Sequence, residues 1–200
     1  MRFIVKGNEA QLEILKNAAQ PGIEWELAGT ETAINADAYF YLEVTKASVL
    51  PATDKPLFIN SVTDTLFEIK ATANVLRING WPTFLERNSW EVAGAISEGA
   101  TTILRLLNKE IIAVADEPGL IAARIVAAII NEAFFALEES VSTADEIDTA
   151  MKLGTNYPFG PFEWSNKIGL RNIYELLVTL SKTDERFIPS ELLVTEAEKS

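Results

Sequence analysis

The chain has 200 residues, of which 48% are hydrophobic and 23% charged, a composition typical of a globular protein and not of a disordered one. Its formal net charge of −12 disfavours a nucleic-acid partner, because such a surface repels a phosphate backbone. The absence of cysteine excludes disulfides and thiolate chemistry, and the absence of histidine removes the commonest general base and metal ligand, so we expect no metal site.

Two stretches bear on targeting and membranes. The chain starts M-R-F-I-V-K, which is too short and too charged for the hydrophobic segment of a secretory leader, so we expect a cytoplasmic protein. The apolar run from Leu120 to Leu137 suggests a membrane span, but Arg124, Asn131 and Glu132 inside it would be costly in lipid. A buried helix explains this run better, and we expect no membrane association.

The first half of the chain alternates short apolar strands with helices, which indicates an α/β layer with at least partly parallel pairing. The predicted strands are Arg2 to Val5, Ile23 to Leu27, Tyr39 to Val44, Leu57 to Val62, Val75 to Ile78, Glu91 to Ala95 and Ile111 to Val114. The predicted helices are Glu9 to Asn17 and Ser97 to Asn108.

A single glycine follows the first predicted strand. A dinucleotide-binding layer carries G-x-G-x-x-G at this point, because glycines let the pyrophosphate approach the N-terminus of the next helix. The corresponding turn here reads K-G-N-E-A-Q, so Gly7 is most simply a turn residue. We therefore expect no cofactor at this turn.

From Pro118 onward the pattern becomes entirely helical, beginning with a long helix from Gly119 to Glu139. Further helices are predicted from the capping box Thr143-x-x-Glu146 to about Gly154, from Asn172 to Leu180, and from Ser190 to Val194 before a polar tail. Between them, Pro158, Gly160 and Pro161 predict a stiff turn.

The long helix is apolar on all sides, with Ile121, Ile125 and Ile129 along one side and Val126 and Ile130 along another. A helix buried all round needs more than one neighbour, so we predict that a second subunit covers part of it in a homodimer. The predicted organisation is an α/β domain over residues 1–115 and a helical dimerisation domain over residues 116–200.

The motifs of the second half resemble those of the 3-hydroxyacyl-CoA dehydrogenases, an oxidoreductase family of fatty acid metabolism. They are, in chain order, D-x-P-G-L-I-x-x-R at 116–124, N-E-A at 131–133, D-x-I-D-x-A-M at 145–151, Gly154, P-x-G-P-F at 158–162, I-G-L at 168–170 and R-F-x-P-S-x-L-L at 186–193. A weaker match runs from Asn60 to Leu107. The resemblance implies a shortened Rossmann-like parallel sheet layer followed by the family's C-terminal helical domain, and NAD as the family's cofactor.

The resemblance also identifies where the family's catalytic base would lie. The family uses a histidine in a G-x-H-F-x-N-P segment, held by a glutamate twelve residues further on. Here the segment begins at Arg77, so Asn79 stands at the histidine position and Glu91 at the glutamate position. Asparagine cannot accept a proton near neutral pH. Glu91 is then either a polar strand residue or a lone carboxylate that still acts as a base.

The positions that would contact substrate have changed as well. The family's S-N-T-S-S-L segment resembles residues 61–66 here, and its substrate-binding serine falls on Asp64 or Thr65. The asparagine of the family's F-I-x-N-R motif, which also helps hold substrate, is replaced by Ala123.

The helical motifs of the family are kept, whereas its nucleotide-binding, catalytic and substrate-binding residues have changed. Three hypotheses follow from this difference. The first is a non-catalytic relative without NAD, which acts as a dimeric binding or scaffold protein. The second is a module that binds acyl-CoA or another small ligand in a cleft lined by Trp81, Phe84 and Trp90. The third is an active 3-hydroxyacyl-CoA dehydrogenase with rewired residues, in which Glu91 or Asp64 is the base. The sequence leaves enzyme activity open between them.

Overall fold

The computed structural model describes residues 1–28, 35–44 and 48–199. These residues form two compact units, one up to Leu120 and one from Ile121 onward. The division lies shortly after the boundary at residue 115 that the sequence predicts.

The first unit is built on a sheet. Its strands are β1 (Arg2–Lys6), β2 (Glu24–Leu27), β3 (Ala38–Tyr41), β4 (Leu57–Asn60), β5 (Val75–Ile78), β6 (Ser89–Ala93) and β7 (Glu110–Ala113). Within the described residues the sheet has the order β2-β1-β3-β4-β5-β6-β7. Neighbouring strands are parallel except β5 and β6, which are antiparallel. The predicted α/β layer with largely parallel pairing is therefore confirmed.

Both faces of the sheet are buried, as expected for parallel strands made of nearly continuous apolar sequence. One face contributes Phe3, Val5, Phe40 and Phe58, and the other contributes Ile4, Tyr39, Leu57 and Ile59. Helices α1 (Glu9–Ala18) and α2 (Glu98–Leu106) pack against the first face. Side chains of connecting segments, including Leu50, Leu66 and Ile69, pack against the second.

The second unit is entirely helical. Its helices are α3 (Ala122–Glu138), α4 (Ala144–Thr155), α5 (Pro161–Ile168), α6 (Leu170–Ser181) and α7 (Glu191–Lys199), with a 3₁₀ turn at Glu185–Phe187 before the last helix. Helix α3 contacts each of the other four helices. It is therefore the element around which the second unit packs.

Within the single chain the long helix is buried on one side, so its predicted burial all round would need the predicted second subunit. Its buried face includes Val126, Ala127 and Ile130, whereas Ile121 and Ile125 on the opposite side are 48% and 53% exposed. The unit thus has one apolar core, and a stripe of isoleucines on α3 remains accessible in the single chain.

The second half also contains helical residues that the sequence pattern did not predict. The stiff turn predicted at 158–161 leads directly into helix α5, because Pro161 occupies its first position and the Glu163 carboxylate accepts a hydrogen bond from the Gly160 amide. The predicted polar tail continues as helix α7 to Lys199, with an acidic residue in the first turn and a basic one in the last.

The junction between α4 and α5 depends on a buried aspartate. The Asp148 side chain accepts hydrogen bonds from the amides of Phe162 at 2.8 Å and Glu163 at 3.0 Å, so it caps the start of α5 from a neighbouring helix. Gly160 makes this approach possible, because a Cβ at that position would lie 2.3 Å from the Asp148 carboxylate.

A buried asparagine fixes the start of α7 in a similar way. Asn131, on the buried face of α3, donates from its Nδ2 to the Ile188 carbonyl at 2.8 Å and accepts from the Ser190 amide at 2.9 Å. Ser190 in turn accepts from the Leu193 amide at 3.1 Å, which caps the helix. Asn131, Asp148 and Gly160 all belong to the motifs on which the family resemblance rests, so those motifs encode packing of the helical unit.

None of the helices in the described ranges is long and apolar enough to cross a membrane.

Candidate functional site

The carboxyl ends of β1, β3, β4 and β5 share one edge of the sheet, because these strands are parallel. In open α/β sheets ligands bind along this edge. Asn60 connects three of the strand ends, since its Nδ2 donates to the Leu42 carbonyl at 3.1 Å and its Oδ1 accepts from the Gly80 amide at 3.0 Å. The positions singled out from the sequence in the first unit follow these strands or lie close to them in the chain.

Asn79 follows β5 directly, and Glu91 lies in the middle of the antiparallel neighbour β6. The register pairs Arg77 with Ala93 and Ile78 with Val92, so one further step places Asn79 opposite Glu91. Directly opposite residues of an antiparallel pair present their side chains on the same face of the sheet. The two positions at which the sequence resemblance predicts a base and its orienting carboxylate therefore belong to neighbouring strands, one of them directly beyond the end of β5.

The Asn79 amide is only partly satisfied. Its side chain is 6% exposed, and its Oδ1 accepts a hydrogen bond from the Trp81 amide at 3.3 Å, whereas its buried Nδ2 finds no acceptor among the described residues. An unpaired buried donor costs about 1–3 kcal/mol. Thr83, four residues further on, has a φ of 75° and a buried hydroxyl that is likewise without a partner in the described structure. Such strain and unpaired polar atoms are typical of functional sites.

The segment between Asn79 and Glu91 is held by a buried lysine. Lys109 donates from its Nζ to the carbonyls of Leu85 at 3.2 Å and Arg87 at 2.7 Å, and it lies 5.1 Å from the centre of the Trp90 ring. Burial lowers the pKa of Lys109, and the nearby carboxylate of Glu86 only partly opposes this effect. The indole of Trp90 donates to the same Leu85 carbonyl at 3.1 Å, so the turn has a fixed path.

The aromatic residues that were predicted to line a ligand cleft are buried. Trp81, Phe84 and Trp90 are 5%, 3% and 2% exposed, and Trp90 belongs to the main core of the first unit. Their burial shows that they serve packing, and they do not form an open wall in this structure.

Segment 61–66 contains two of the predicted substrate contacts. Thr65 donates from its amide and from its hydroxyl to Glu68, each at 2.8 Å, and therefore closes a short local turn. Ser61 donates from its hydroxyl to the Asp64 carbonyl at 2.8 Å. Asp64 and Thr65 thus lie in a folded loop after β4, at the same edge of the sheet as Asn79.

Sequence reasoning missed the most deeply buried charged residue of this region. Arg77 in β5 is 0% exposed and forms an ion pair with Asp116 at 2.5 Å. A charged residue in an apolar strand is a signal in itself, because lysine, arginine, aspartate and glutamate are almost never fully buried unless they are paired. The sequence does not show the partner, which lies far along the chain.

The remaining predicted site residue lies in the second unit. Ala123 is on the buried face of α3 and is 0% exposed. Its methyl group has no hydrogen-bonding capacity, so it packs where the resemblance predicts a substrate-binding amide.

The turn after β1 is closed by its own side chains. Helix α1 begins with a capping box, in which Asn8 accepts from the Gln11 amide and Gln11 accepts from the Asn8 amide, both at 3.0 Å. The Gln11 side chain closes over Gly7, since a Cβ there would lie 2.4 Å from its Oε1. Asn8 also donates to the Glu43 carboxylate at 3.4 Å. Two amides of this helix start, those of Asn8 and Gln11, are therefore occupied by side chains, and a negative charge lies beside them.

The arrangement limits the chemistry of the site. Asn79 donates and accepts hydrogen bonds but takes no proton, so the pair with Glu91 differs in kind from a histidine that a carboxylate orients. Within the described residues there is also no cluster of carboxylates suited to a metal ion.

Comparison with known proteins identifies the helical unit. Residues 119–199 match the family model described as 3-hydroxyacyl-CoA dehydrogenase, C-terminal domain. The helical unit matches the C-terminal domain of this family. The resemblance predicted from the sequence motifs is thereby confirmed, and the match covers the helical unit.

The relatives are longer than the segments they share with this dehydrogenase-like chain. The 3-hydroxyadipyl-CoA dehydrogenase of Escherichia coli is 44% identical over 92 residues, which are 45% of this chain and 19% of that protein. A 3-hydroxybutyryl-CoA dehydrogenase of Bradyrhizobium diazoefficiens is 35% identical over 106 residues, 52% of this chain and 36% of the relative. The shared segments are thus well under two thirds of these relatives.

Solved structures confirm the fold over most of the chain. FadB2 of M. tuberculosis superimposes with a TM-score of 0.73 at 15% identity, over 98% of this chain and 85% of the other. The 3-hydroxybutyryl-CoA dehydrogenase of Escherichia coli K12 gives a TM-score of 0.61 at 29% identity, over 86% of this chain and 39% of the other. The Rossmann-like layer followed by the family's helical domain is therefore the fold of this protein.

Proposed function

We propose that this chain is a non-catalytic member of the 3-hydroxyacyl-CoA dehydrogenase family, which binds no NAD and acts as a homodimeric binding or scaffold protein. The observation that carries the proposal is the occupied turn after β1, where Gln11 caps α1 and lies over Gly7. Asparagine at position 79 supports it independently, because that side chain cannot act as a general base.

The catalytic base and the nucleotide site differ in how much their loss affects the reaction. Losing a catalytic base typically lowers a rate by a factor of about 10² to 10⁴. Losing the nucleotide removes the hydride acceptor, since the cofactor and not the protein carries that step. The missing nucleotide site is therefore the decisive loss.

The accessible stripe on α3 supports the homodimer. Ile121 and Ile125 are about half exposed on a helix that otherwise packs in the core of its unit. Covering such a stripe with a second copy of the same helix buries apolar surface, which is the main driving force for association. A cytoplasmic location stays a prediction from the sequence.

A second candidate function is the binding of a small ligand such as an acyl-CoA. The specific observation in its favour is the unpaired Nδ2 of Asn79 at the carboxyl edge of the sheet. A carbonyl oxygen of a ligand is a suitable acceptor for this donor.

Calorimetric titration of the purified protein with NADH, free CoA and acetoacetyl-CoA tests both candidates. Silence from NADH, together with a mass in light scattering of twice the 22.0 kDa of one chain, supports the proposal. Binding of acetoacetyl-CoA but not NADH selects the ligand-binding function. Binding of NADH, or NAD-dependent oxidation of 3-hydroxybutyryl-CoA, refutes the proposal. An active 3-hydroxybutyryl-CoA dehydrogenase, measured in parallel, shows that the assay detects turnover.

A further inference from the structure

Arg77 lies within β5 with its whole side chain inside the first unit, 0% exposed. Its guanidinium donates from Nε to the Ser61 carbonyl at 2.7 Å and from Nη2 to the Val62 carbonyl at 3.0 Å. It also donates from Nη1 to Asp116 at 2.5 Å and from Nη2 to the Glu117 carbonyl at 3.3 Å. One side chain in the sheet therefore joins the chain after β4 to the chain after β7.

Asp116 extends this connection to the other end of the same loop. Its carboxylate accepts a bifurcated hydrogen bond from the Leu66 amide, with its two oxygens 2.9 and 3.1 Å from that nitrogen, in addition to the ion pair with Arg77. The Val62 carbonyl accepts a further hydrogen bond from the Gly119 amide at 2.8 Å. Segment 61–66 is thus held at residues 61–62 by Arg77 and at residue 66 by Asp116.

Two predicted substrate contacts lie between the anchored ends of this segment. Asp64 and Thr65 lie between the anchors, beyond the end of β4 and therefore outside the ladder that it forms with β3 and β5. Regular strand pairing does not reach these residues, so their path is set by the local bonds of Ser61 and Glu68 together with the two anchors, Arg77 and the partly exposed Asp116. Arginine suits this role, since its planar group presents several donors in a fixed arrangement that lysine cannot reproduce.

We infer that Arg77 and Asp116 are positioning residues, which set the shape of segment 61–66 and with it any ligand contact made through Asp64 or Thr65. The part that concerns a ligand rests on the proposed ligand-binding function. The part that concerns the loop does not, so the two are tested separately.

The test uses a double variant, Arg77→Met with Asp116→Ala, because replacing both partners of a buried ion pair by apolar groups is often tolerated, whereas removing one leaves an uncompensated charge. The matched control is Arg171→Met with Glu175→Ala, which removes an exposed pair on α6. The rate of hydrogen exchange at the Leu66 amide measures whether the loop is still held, because Asp116 is the acceptor of that amide. The exchange rates of the β4 and β5 amides show whether the sheet is intact.

In the double variant we expect the Leu66 amide to exchange at least about tenfold faster while the strand amides keep their rates, since only its acceptor is lost. The affinity for acetoacetyl-CoA should fall by a similar factor, and the control should change neither quantity. Unchanged Leu66 exchange in a folded double variant overturns the inference.

Two further outcomes remain decisive. If the double variant does not fold, Arg77→Lys keeps the charge but loses the planar group that fixes Asp116. Asp116 remains as the acceptor of the Leu66 amide but is held less firmly, so a smaller, still selective rise in Leu66 exchange is expected. Unchanged Leu66 exchange, or uniform loss of protection across β4 and β5, contradicts a positioning role. If the wild type binds no acetoacetyl-CoA, the ligand-binding function fails, and Leu66 exchange alone decides whether the pair positions the loop.

Discussion

Replacing Gly160 by alanine tests the junction of α4 and α5. The new Cβ would lie 2.3 Å from the Asp148 Cγ and Oδ1 and 2.5 Å from its Cα. Because a backbone atom is among these neighbours, rotation of the side chain does not relieve the contact. Helix α4 has to shift, and the Asp148 carboxylate has to leave the amides of Phe162 and Glu163 that it caps.

The expected cost follows from these two effects. Losing a helix cap costs about 0.5–2 kcal/mol, and overpacking a filled site costs about 1–3 kcal/mol. The two changes share one side chain and are not fully additive, so we expect Gly160→Ala to lower the free energy of unfolding by about 2–4 kcal/mol. Urea unfolding followed by circular dichroism measures this difference.

Gly154→Ala is the matched control, since it makes the same change within helix α4. A Cβ at residue 154 meets no atom within 4 Å, so only the better helix propensity of alanine remains. That variant should be more stable by about 0.5–1 kcal/mol. Equal unfolding midpoints for the two variants would refute the packing argument.

Three other predictions follow. Ile125→Asp should halve the mass measured by light scattering without unfolding the chain, because this side chain is 53% exposed. The neighbouring control Val126→Asp should unfold the second unit, because Val126 is only 5% exposed. Asn79→His introduces a proton acceptor directly after β5, next to the strand that carries Glu91, yet we expect no NAD reduction in a spectrophotometric assay, because the proposed function lacks a nucleotide site. Measurable turnover would contradict the proposal. Hydrogen bonds from Ser142 and then Thr143 lower the pKa of Glu146 below its ordinary 4.5, so its contribution to stability is present above pH 4.5 and is lost as pH falls through the lowered value. Glu146→Gln should therefore be less stable than wild type at pH 7 and approach it in acid, as measured by thermal unfolding at several pH values.

The sheet was largely predictable from the sequence because its signals are local. Short apolar runs separated by turns gave the seven strands, and the segment 75–78 was predicted with the bounds that the structure has. The family resemblance identified Asn79 and Glu91 by their separation of twelve residues. The antiparallel register of β5 and β6, continued by one residue, sets these two positions opposite each other.

What the sequence did not reveal depends on partners distant in the chain. Arg77 finds Asp116 across 39 positions, and no periodicity reports such a pair. Helix α5 was missed because Gly160 and Pro161 are typical of turns, although the same residues suit a helix start. The exposed stripe on α3 was missed because composition alone cannot tell which face of an apolar helix its neighbours cover.

The sheet order has a consequence for how copies of this protein meet. Strands β2 and β7 are the outermost of the described sheet, and they carry Glu24, Glu26 and Glu110. Two such borders brought together would place carboxylates against carboxylates, an arrangement that opposes the joining of sheets from different molecules. Acidic borders of this kind therefore discourage the growth of one continuous sheet across several molecules.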